Sequence, residues 1–484
     1  MLDNIRQERL KKLEHLKKAG INPFPLKIVR DFSLAEIIKN FSKLSRRKKP
    51  LFLAGRILAI RSHGGSAFCD FTDGSEKFQA LFKKDVLRET FFLFEETIDI
   101  GDFLELKGNL FLTKKKEKTI QVLSWRIISK SLRPLPEKWH GLQDIEERFR
   151  KRYLDILMND EIKDKFFLRS RIISEIRFFL NQEGFIEVET PILHPLVGGA
   201  AAEPFVTHHN ALDKDLYLRI APELYLKRLL IGGMSKIYEI GRLFRNEGID
   251  ATHNPEFTEL ELYESYQNAE GLRDFVESLI KKLVKKIFGK ETIEYQGQKL
   301  SFNKKFNTIS LYNILERYAL IREPEKISTE ELLLKARQFG IDAEKEDPKW
   351  KIIDHIFKKI CRPKIIQPTF IVNYPLESSP LAKKLPEESL LDRFQLIIGG
   401  LEIANGFSEL NDPLEQNKRF LAQEKLAKEG DKEANPKDED FLEAMEYGMP
   451  PAAGVGMGID RLVMLLTDTH NIKEVILFPT MRPK

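Results

Sequence analysis

Phe244-Arg245-Asn246-Glu247-Gly248, followed five residues later by His253-Asn254-Pro255-Glu256-Phe257-Thr258, is the stretch from which the rest of the chain is read. It gathers an arginine, two glutamates, a histidine and two phenylalanines within fifteen residues. The run before it, Lys236-Ile237-Tyr238-Glu239-Ile240, and the run from Thr258 through Leu260 and Leu262 to Tyr263 alternate polar and apolar residues. That period of two predicts a pair of antiparallel strands. Gly248 and Asn254-Pro255 supply turn chemistry between them. A hairpin carrying a fixed arginine, acids and an aromatic ring suits a bound nucleotide: arginine grips phosphate through two parallel hydrogen bonds, and Phe257 offers a face to a base. The plainer reading is a surface ion pair of Arg245 with Glu247 over a core Phe257.

Two further segments weigh against the plainer reading. Gly454-Val455-Gly456-Met457-Gly458-Ile459-Asp460-Arg461 runs into Leu462-Val463-Met464-Leu465-Leu466, a glycine-rich strand that opens an apolar helix. Its glycines permit close approach of a ligand to the backbone, and an arginine at the helix start reaches a polyphosphate. Gly184-Phe185-Ile186-Glu187-Val188-Glu189-Thr190-Pro191 reads as a helix end followed by a strand halted at proline.

In order and spacing these segments resemble the three signature motifs of class II aminoacyl-tRNA synthetases, at about 184–191, 236–263 and 454–466. Ala221-Pro222-Glu223-Leu224-Tyr225-Leu226-Lys227, Asn405-Gly406-Phe407-Ser408-Glu409-Leu410 and Arg133-Pro134-Leu135-Pro136 look like the lysyl-tRNA synthetases of the bacterial and eukaryotic class II type, subclass IIb. The resemblance runs from about residue 5 to the end of the chain. It implies an α+β fold: an N-terminal OB-fold β-barrel, then a catalytic domain built on an antiparallel sheet flanked by helices.

The organisation along the chain agrees with that expectation. A length of 484 residues predicts two or three domains. The expected divisions are a basic helical extension at 1–50, the barrel at 51–132, a stiff linker at 133–150 around Arg133-Pro134-Leu135-Pro136, and the catalytic domain at 151–484. Residues 2–19 read as a basic amphipathic helix ended by Gly20 and Pro23, either solvated or an arm for RNA phosphates. Five strand candidates, 51–60, 67–71, 77–82, 102–112 and 119–128, with a helix at about 84–94 after the third, match an oligonucleotide-binding barrel. Residues 265–390 read as helix and loop without assignable chemistry, and 411–447 as charged surface helix. Two cysteines, Cys69 and Cys361, have no metal-ligand spacing and point to a reducing compartment. The net charge of +5 is too mild to demand nucleic acid. No membrane-spanning run is read, and a cytoplasmic enzyme is expected.

The resemblance implies ATP-dependent attachment of L-lysine to tRNA(Lys) through lysyl-adenylate, by a homodimer, with Mg2+ bridging phosphate oxygens. Arg245 and Arg461 take the catalytic roles. With Glu247, His253, Phe257 and Glu402 they bind ATP. Gly199, Glu223, Arg245, Tyr263, Asn405, Phe407 and Glu409 bind lysine, with Glu409 and Tyr263 at the ε-ammonium. Glu223 and Glu409, with no lysine assigned to pair them, suit a substrate carrying two positive charges; the sign of the pocket separates lysine from aspartate or asparagine. Metal ligation falls to Glu402 and to residue 395, with Glu409 a weaker candidate. The family carries glutamate where this chain has Gln395, a neutral amide whose oxygen can still coordinate. Glu203 also departs from the family, which has a basic residue there. On the barrel, Phe68 and Gln79 match positions that read the anticodon, by stacking and hydrogen bonding. The alternatives are an aspartyl- or asparaginyl-type synthetase, a lysyl transferase acting on another acceptor, and a catalytically impaired RNA-binding paralogue. Gln395 is the only support for the last.

Overall fold

Alternating apolar residues close residues 51–129 of the computed structural model into a barrel. Its strands are β1 (Leu51–His63), β2 (Ser66–Thr72), β3 (Lys77–Lys83), β4 (Phe103–Leu112) and β5 (Lys118–Ser129), joined in the order β1-β2-β3-β5-β4. Leu53, Ile57, Phe71, Phe82, Leu106 and Val122 are inaccessible to solvent inside it. Closure leaves no unpaired strand edge. The helices Lys84–Leu87 and Glu89–Thr97 follow β3, where a helix is expected. All residues are described except 1, 48, 137–141, 143, 346, 387–388, 429–435 and 484.

The basic segment before the barrel is not a free arm. Helix α1 (Leu2–Lys18) is followed by Gly20, which takes the left-handed conformation, φ +75°. Leu16 and the later Leu34, Ile37 and Phe41 join the barrel's apolar core. Arg9 is buried and donates to the carbonyls of Ile100, Ser131 and Arg133. These residues and the barrel form one compact unit, Met1–Gln143; Asp144–Lys484 form the other. Part of the expected linker lies outside the described residues, and its last part is helical, Ile145–Arg150, capped by the Asp144 carboxylate.

The second unit carries helix α2 (Asp160–Gln182) and an eight-stranded sheet: β6 (Ile186–Glu187), β7 (Lys236–Phe244), β8 (Glu256–Ser265), β9 (Asn307–Ser310), β10 (Thr369–Pro375), β11 (Leu390–Ile398), β12 (Leu401–Ser408) and β13 (Ala452–Gly458). The spatial order is β9-β10-β11-β12-β13-β8-β7-β6. Pairing is antiparallel except at the margins, β6 with β7 and β9 with β10. Two expectations change here. The strand before Pro191 is only two residues long. The region read as helix and loop supplies β9 and β10, because β10 (Thr-Phe-Ile-Val-Asn-Tyr-Pro) is largely buried and its apolar run shows no alternation. The charged stretch 411–447 holds helices Pro413–Lys428 and Glu439–Glu446, with 429–435 outside the described residues.

One sheet face is covered by α2 and by helices α3 (Ala269–Phe288) and α4 (Ile459–Leu466). Leu260, Leu262, Val455 and Met457 from β8 and β13 enter that core with Ile176, Leu279 and Val463. By the period of two, residues 259, 261 and 263 and glycines 454, 456 and 458 turn to the other face. Among the described residues no helix is long and apolar enough to cross a membrane.

Candidate functional site

β7 and β8 pair in register from Lys236 with Glu264 to Phe244 with Glu256, so their loop opens at Arg245. The Arg245 amide donates to the Pro255 carbonyl at 2.9 Å and fixes the loop's base. Its guanidinium lies over the Phe257 ring, 5.0 Å from the centroid. Its Nε is buried without a hydrogen-bond partner. Among the described residues no carboxylate pairs with Arg245, so the surface pair with Glu247 is not what this hairpin builds.

Arg461 stands in the first turn of α4 and is positioned by its neighbour. Asp460 is buried, accepts the Thr258 amide at 2.7 Å, and receives Arg169 Nη1 at 2.5 Å. Arg461 Nη2 lies 3.0 Å from His253 Nε2, and His253 Nδ1 lies 2.8 Å from Asp250. A cavity of about 160 Å³ is lined by Arg245, Glu247, His253, Phe257, Glu402 and Arg461, the whole expected nucleotide set. Arg169, Asp460 and Asp250 were not anticipated; Asp460 beside Arg461 was the one local signal.

A larger cavity of about 430 Å³ adjoins it and is lined by Gly199, Glu223, Arg245, Tyr263, Asn405 and Phe407. Arg245 lines both. Gly199 takes φ +90°, and a Cβ there would stand 3.1 Å from Ala221 and 3.3 Å from Glu223. Glu409, 1% exposed, is not among the residues that line this cavity.

The carboxylates are not without an internal cation, which corrects the expectation. Lys227 Nζ is fully buried, 2.5 Å from Glu223 Oε1 and 2.5 Å from Glu409 Oε2, and 5.4 Å above the Phe407 ring. Burial alone would lower the Lys227 ammonium; Glu223 and Glu409 hold it above its ordinary value. One cation serves two carboxylates. Burial pushes Glu409 up to about 8, with the charge of Glu223 adding and Lys227 opposing. Glu409 is not among the residues lining the nucleotide cavity, which argues against it as a ligand of a metal that travels with ATP. Glu261 is a third buried carboxylate, unforeseen although it alternates with Tyr263. It accepts the Tyr263 hydroxyl at 2.9 Å, and burial, then Glu259 and Glu223, push it well above the carboxylate range.

Gln395 has a partner within the protein: its amide oxygen accepts the Tyr374 hydroxyl at 2.8 Å in a buried setting. The Glu402 side chain has, among the described residues, one ion-pair approach, from Arg362 at 4.0 Å. Among the described residues no group of three or more His, Cys, Asp or Glu side chains could hold a metal ion. The side chain of the unusual Glu203 has no evident role; its carbonyl accepts the Asn246 amide at 2.7 Å.

On the barrel, Phe68 faces Arg61 on β1 and Leu81 on β3, and Gln79 pairs across from Asp70. Phe68 is half-buried, and Asp70 receives both terminal nitrogens of Arg61 at 2.7 and 2.9 Å. Gln79 is more buried than a base-reading amide requires, and its oxygen accepts the Thr119 hydroxyl at 2.9 Å. Its amide nitrogen is left to donate.

A family model described as tRNA synthetases class II (D, K and N) matches residues 144–482, and one described as an OB-fold nucleic acid binding domain matches 52–128. The chain is 47% identical over 489 residues to a lysine--tRNA ligase of Carboxydothermus hydrogenoformans, covering 100% of this chain and 99% of the relative. It is 46% identical to one of Moorella thermoacetica over 483 residues (100% and 98%) and 44% identical to one of Thermotoga maritima over 493 residues (100% and 97%).

Proposed function

The chain belongs to the lysine--tRNA ligases of the class II tRNA synthetases, and we infer that it uses ATP to join L-lysine to tRNA(Lys) by way of lysyl-adenylate. The substrate carboxylate is already a nucleophile, so the protein's task is positioning and charge stabilisation. Arg245 sits at the boundary of the two cavities, where it holds the α-phosphate and the amino-acid carboxylate together. Arg461, backed by His253, holds the far end of the polyphosphate. Phe257, beneath the Arg245 guanidinium, takes the adenine. Mg2+, when bound with ATP, neutralises the phosphates. Glu402, a carboxylate without a close cation, fits a hard metal; of the two positions the resemblance names, it alone supplies a negative charge.

One observation carries the amino-acid assignment. Glu223 and Glu409 are buried around a single Lys227, and Glu261 is buried against Tyr263 nearby, an excess of carboxyl groups that a dicationic amino acid relieves and an aspartate would worsen. Glu223 takes the α-ammonium beside Gly199. The ε-ammonium goes to Tyr263 and to Glu409, shared with Lys227. Asn405 is held by Arg393 Nε at 3.0 Å as a wall of the pocket. For the second step, the barrel face bearing Phe68 and Gln79 reads the anticodon. A homodimer is supported by exposed apolar side chains around the first motif: Phe178, Ile186, Ile192, Leu193 and Val206. We place the enzyme in the cytoplasm, where its two free, buried cysteines stay reduced. Pyrophosphate exchange measured with each of the twenty amino acids tests the reading; lysine alone should support it, and exchange driven by aspartate or by none would overturn it.

A further inference from the structure

Charges of both signs line the nucleotide cavity without pairing to one another. Arg245, Arg461, Glu259 and Glu402 line the same space of about 160 Å³. Among the described residues neither arginine forms an ion pair with either carboxylate. Arg245 stacks on Phe257 with a buried Nε that has no partner among the described residues, and Arg461 turns to the His253 ring and to the backbone carbonyls of Glu402 and Thr252 rather than to either carboxylate. Among the described residues the Glu402 carboxylate has Arg362 alone, at 4.0 Å. The Glu259 side chain makes no hydrogen bond or ion pair among the described residues. β8 places Glu259 opposite Gly458, and a Cβ on Gly456 would stand 2.7 Å from Glu259 Oε1, so the carboxylate lies over bare backbone that only glycine leaves free.

Opposite charges brought to one cavity yet held apart call for a ligand that carries both signs. Phosphate oxygens satisfy the arginines, and a hard divalent cation satisfies the carboxylates. The position that the resemblance assigns to a second metal-holding carboxylate does not serve: Gln395 is neutral, and its oxygen accepts from Tyr374. We infer that Glu259, with Glu402, supplies the protein oxygens for the divalent cation that travels with the nucleotide, so that the charge absent from position 395 on β11 is provided from β8. This rests on reading the chain as an ATP-dependent, lysine-activating enzyme. Electrostatics agree: burial pushes the Glu259 carboxyl above its ordinary value, Arg245 and Arg461 pull it down, and Glu402 and Asp460 push it up.

The test is Mn2+ binding, followed by electron paramagnetic resonance on the full chain with a non-hydrolysable α,β-methylene ATP analogue. Mn2+ shares the oxygen preference of Mg2+. Glu259→Gln should raise the Mn2+ Kd by about tenfold or more. Adding Gln395→Glu to that variant should restore most of the affinity, because a carboxylate returns on β11, the strand paired with the β12 that carries Glu402. Glu259 also lines the amino-acid cavity, so lysine affinity without nucleotide should change less than the Mn2+ Kd in Glu259→Gln. An unchanged Mn2+ Kd overturns the inference, as does a loss confined to lysine affinity, which would assign Glu259 to the amino acid. Should Glu259→Gln fail to fold, Glu259→Asp keeps the charge but shortens its reach, and its Mn2+ Kd must still rise; no change overturns the inference. Lysine-dependent exchange by the wild type alongside identical Mn2+ Kd values sinks this inference alone. Absence of lysine-dependent exchange at saturating metal sinks it together with the reading beneath it.

Discussion

Glu409→Gln gives the sharpest test of the amino-acid pocket, because the expected loss changes with pH. Glu409 is 1% exposed and sits 2.5 Å from Lys227, and its carboxyl is pushed up to about 8. At pH 7 the side chain is therefore ionised in about a tenth of molecules, and ionising it for the substrate costs about 1.4 kcal/mol. Once ionised, a desolvated contact with the ε-ammonium is worth about 3 kcal/mol. The glutamine variant should bind lysine about 15-fold more weakly at pH 7, from the difference of roughly 1.6 kcal/mol, and about 150-fold more weakly at pH 9, where the full contact is available.

Calorimetric titration of both proteins with lysine at pH 7, 8 and 9 measures this. The ratio of the two affinities cancels titration of the ligand's own amines. ATP affinity should not change. A ratio that stays flat from pH 7 to 9, or equal affinities throughout, would refute the placement of Glu409 at the substrate cation. The sign for stability is opposite to that for binding. A carboxyl raised above its ordinary value contributes stability below that ordinary value and loses it as pH rises through about 8. The substrate-free wild type should therefore lose stability toward alkaline pH more steeply than Glu409→Gln.

Lys227→Met removes the internal cation and should destabilise the lysine-free protein by about 3–5 kcal/mol, with part recovered at saturating lysine; urea unfolding with and without lysine checks this, and equal midpoints for wild type and variant would contradict it. Phe68→Ala should lower aminoacylation of tRNA by about 1–3 kcal/mol of base stacking while leaving lysine-dependent exchange intact; equal losses in both assays would make Phe68 a support of the barrel. Sedimentation at micromolar concentration should give a dimer; a fully active monomer would remove the role of the apolar surface around Ile186 and Leu193.

What the sequence made legible follows the physical range of its signals. The β7–β8 hairpin and the β13–α4 junction were readable because alternation, turn residues and an apolar helix are local and periodic. β10 was not, since burial removed its alternation. The nucleotide residues came through the resemblance, and their convergence on one cavity is a property of the sheet order, which brings β13 between β8 and β12. Lys227 was available from its spacing alone: it lies four residues after Glu223 on the helix Glu223–Ile231, the distance at which side chains meet. Its second partner, Glu409, was not local and could not be paired by spacing. The Tyr374–Gln395 contact likewise spans two strands and has no sequence signature.

The site owes its room to what β13 lacks. Val455 and Met457 fill the core on one face, while Gly454, Gly456 and Gly458 place no side chain on the other. A Cβ at Gly454 would collide with the Tyr263 ring and the Glu409 carboxylate, and one at Gly456 would meet Glu259. Gly454 and Gly456 therefore leave space for acids of the neighbouring segments to lie across the sheet. Carboxylates from β8 and from the segment after β12 can then approach the same volume without backbone distortion. Lys227 offsets part of their repulsion on the amino-acid side. On the nucleotide side the described residues offer no comparable internal cation, because both arginines are turned to other partners. That asymmetry is why the two halves should respond differently to losing an acid: removal of Glu409 is read in lysine affinity, and removal of Glu259 in metal affinity.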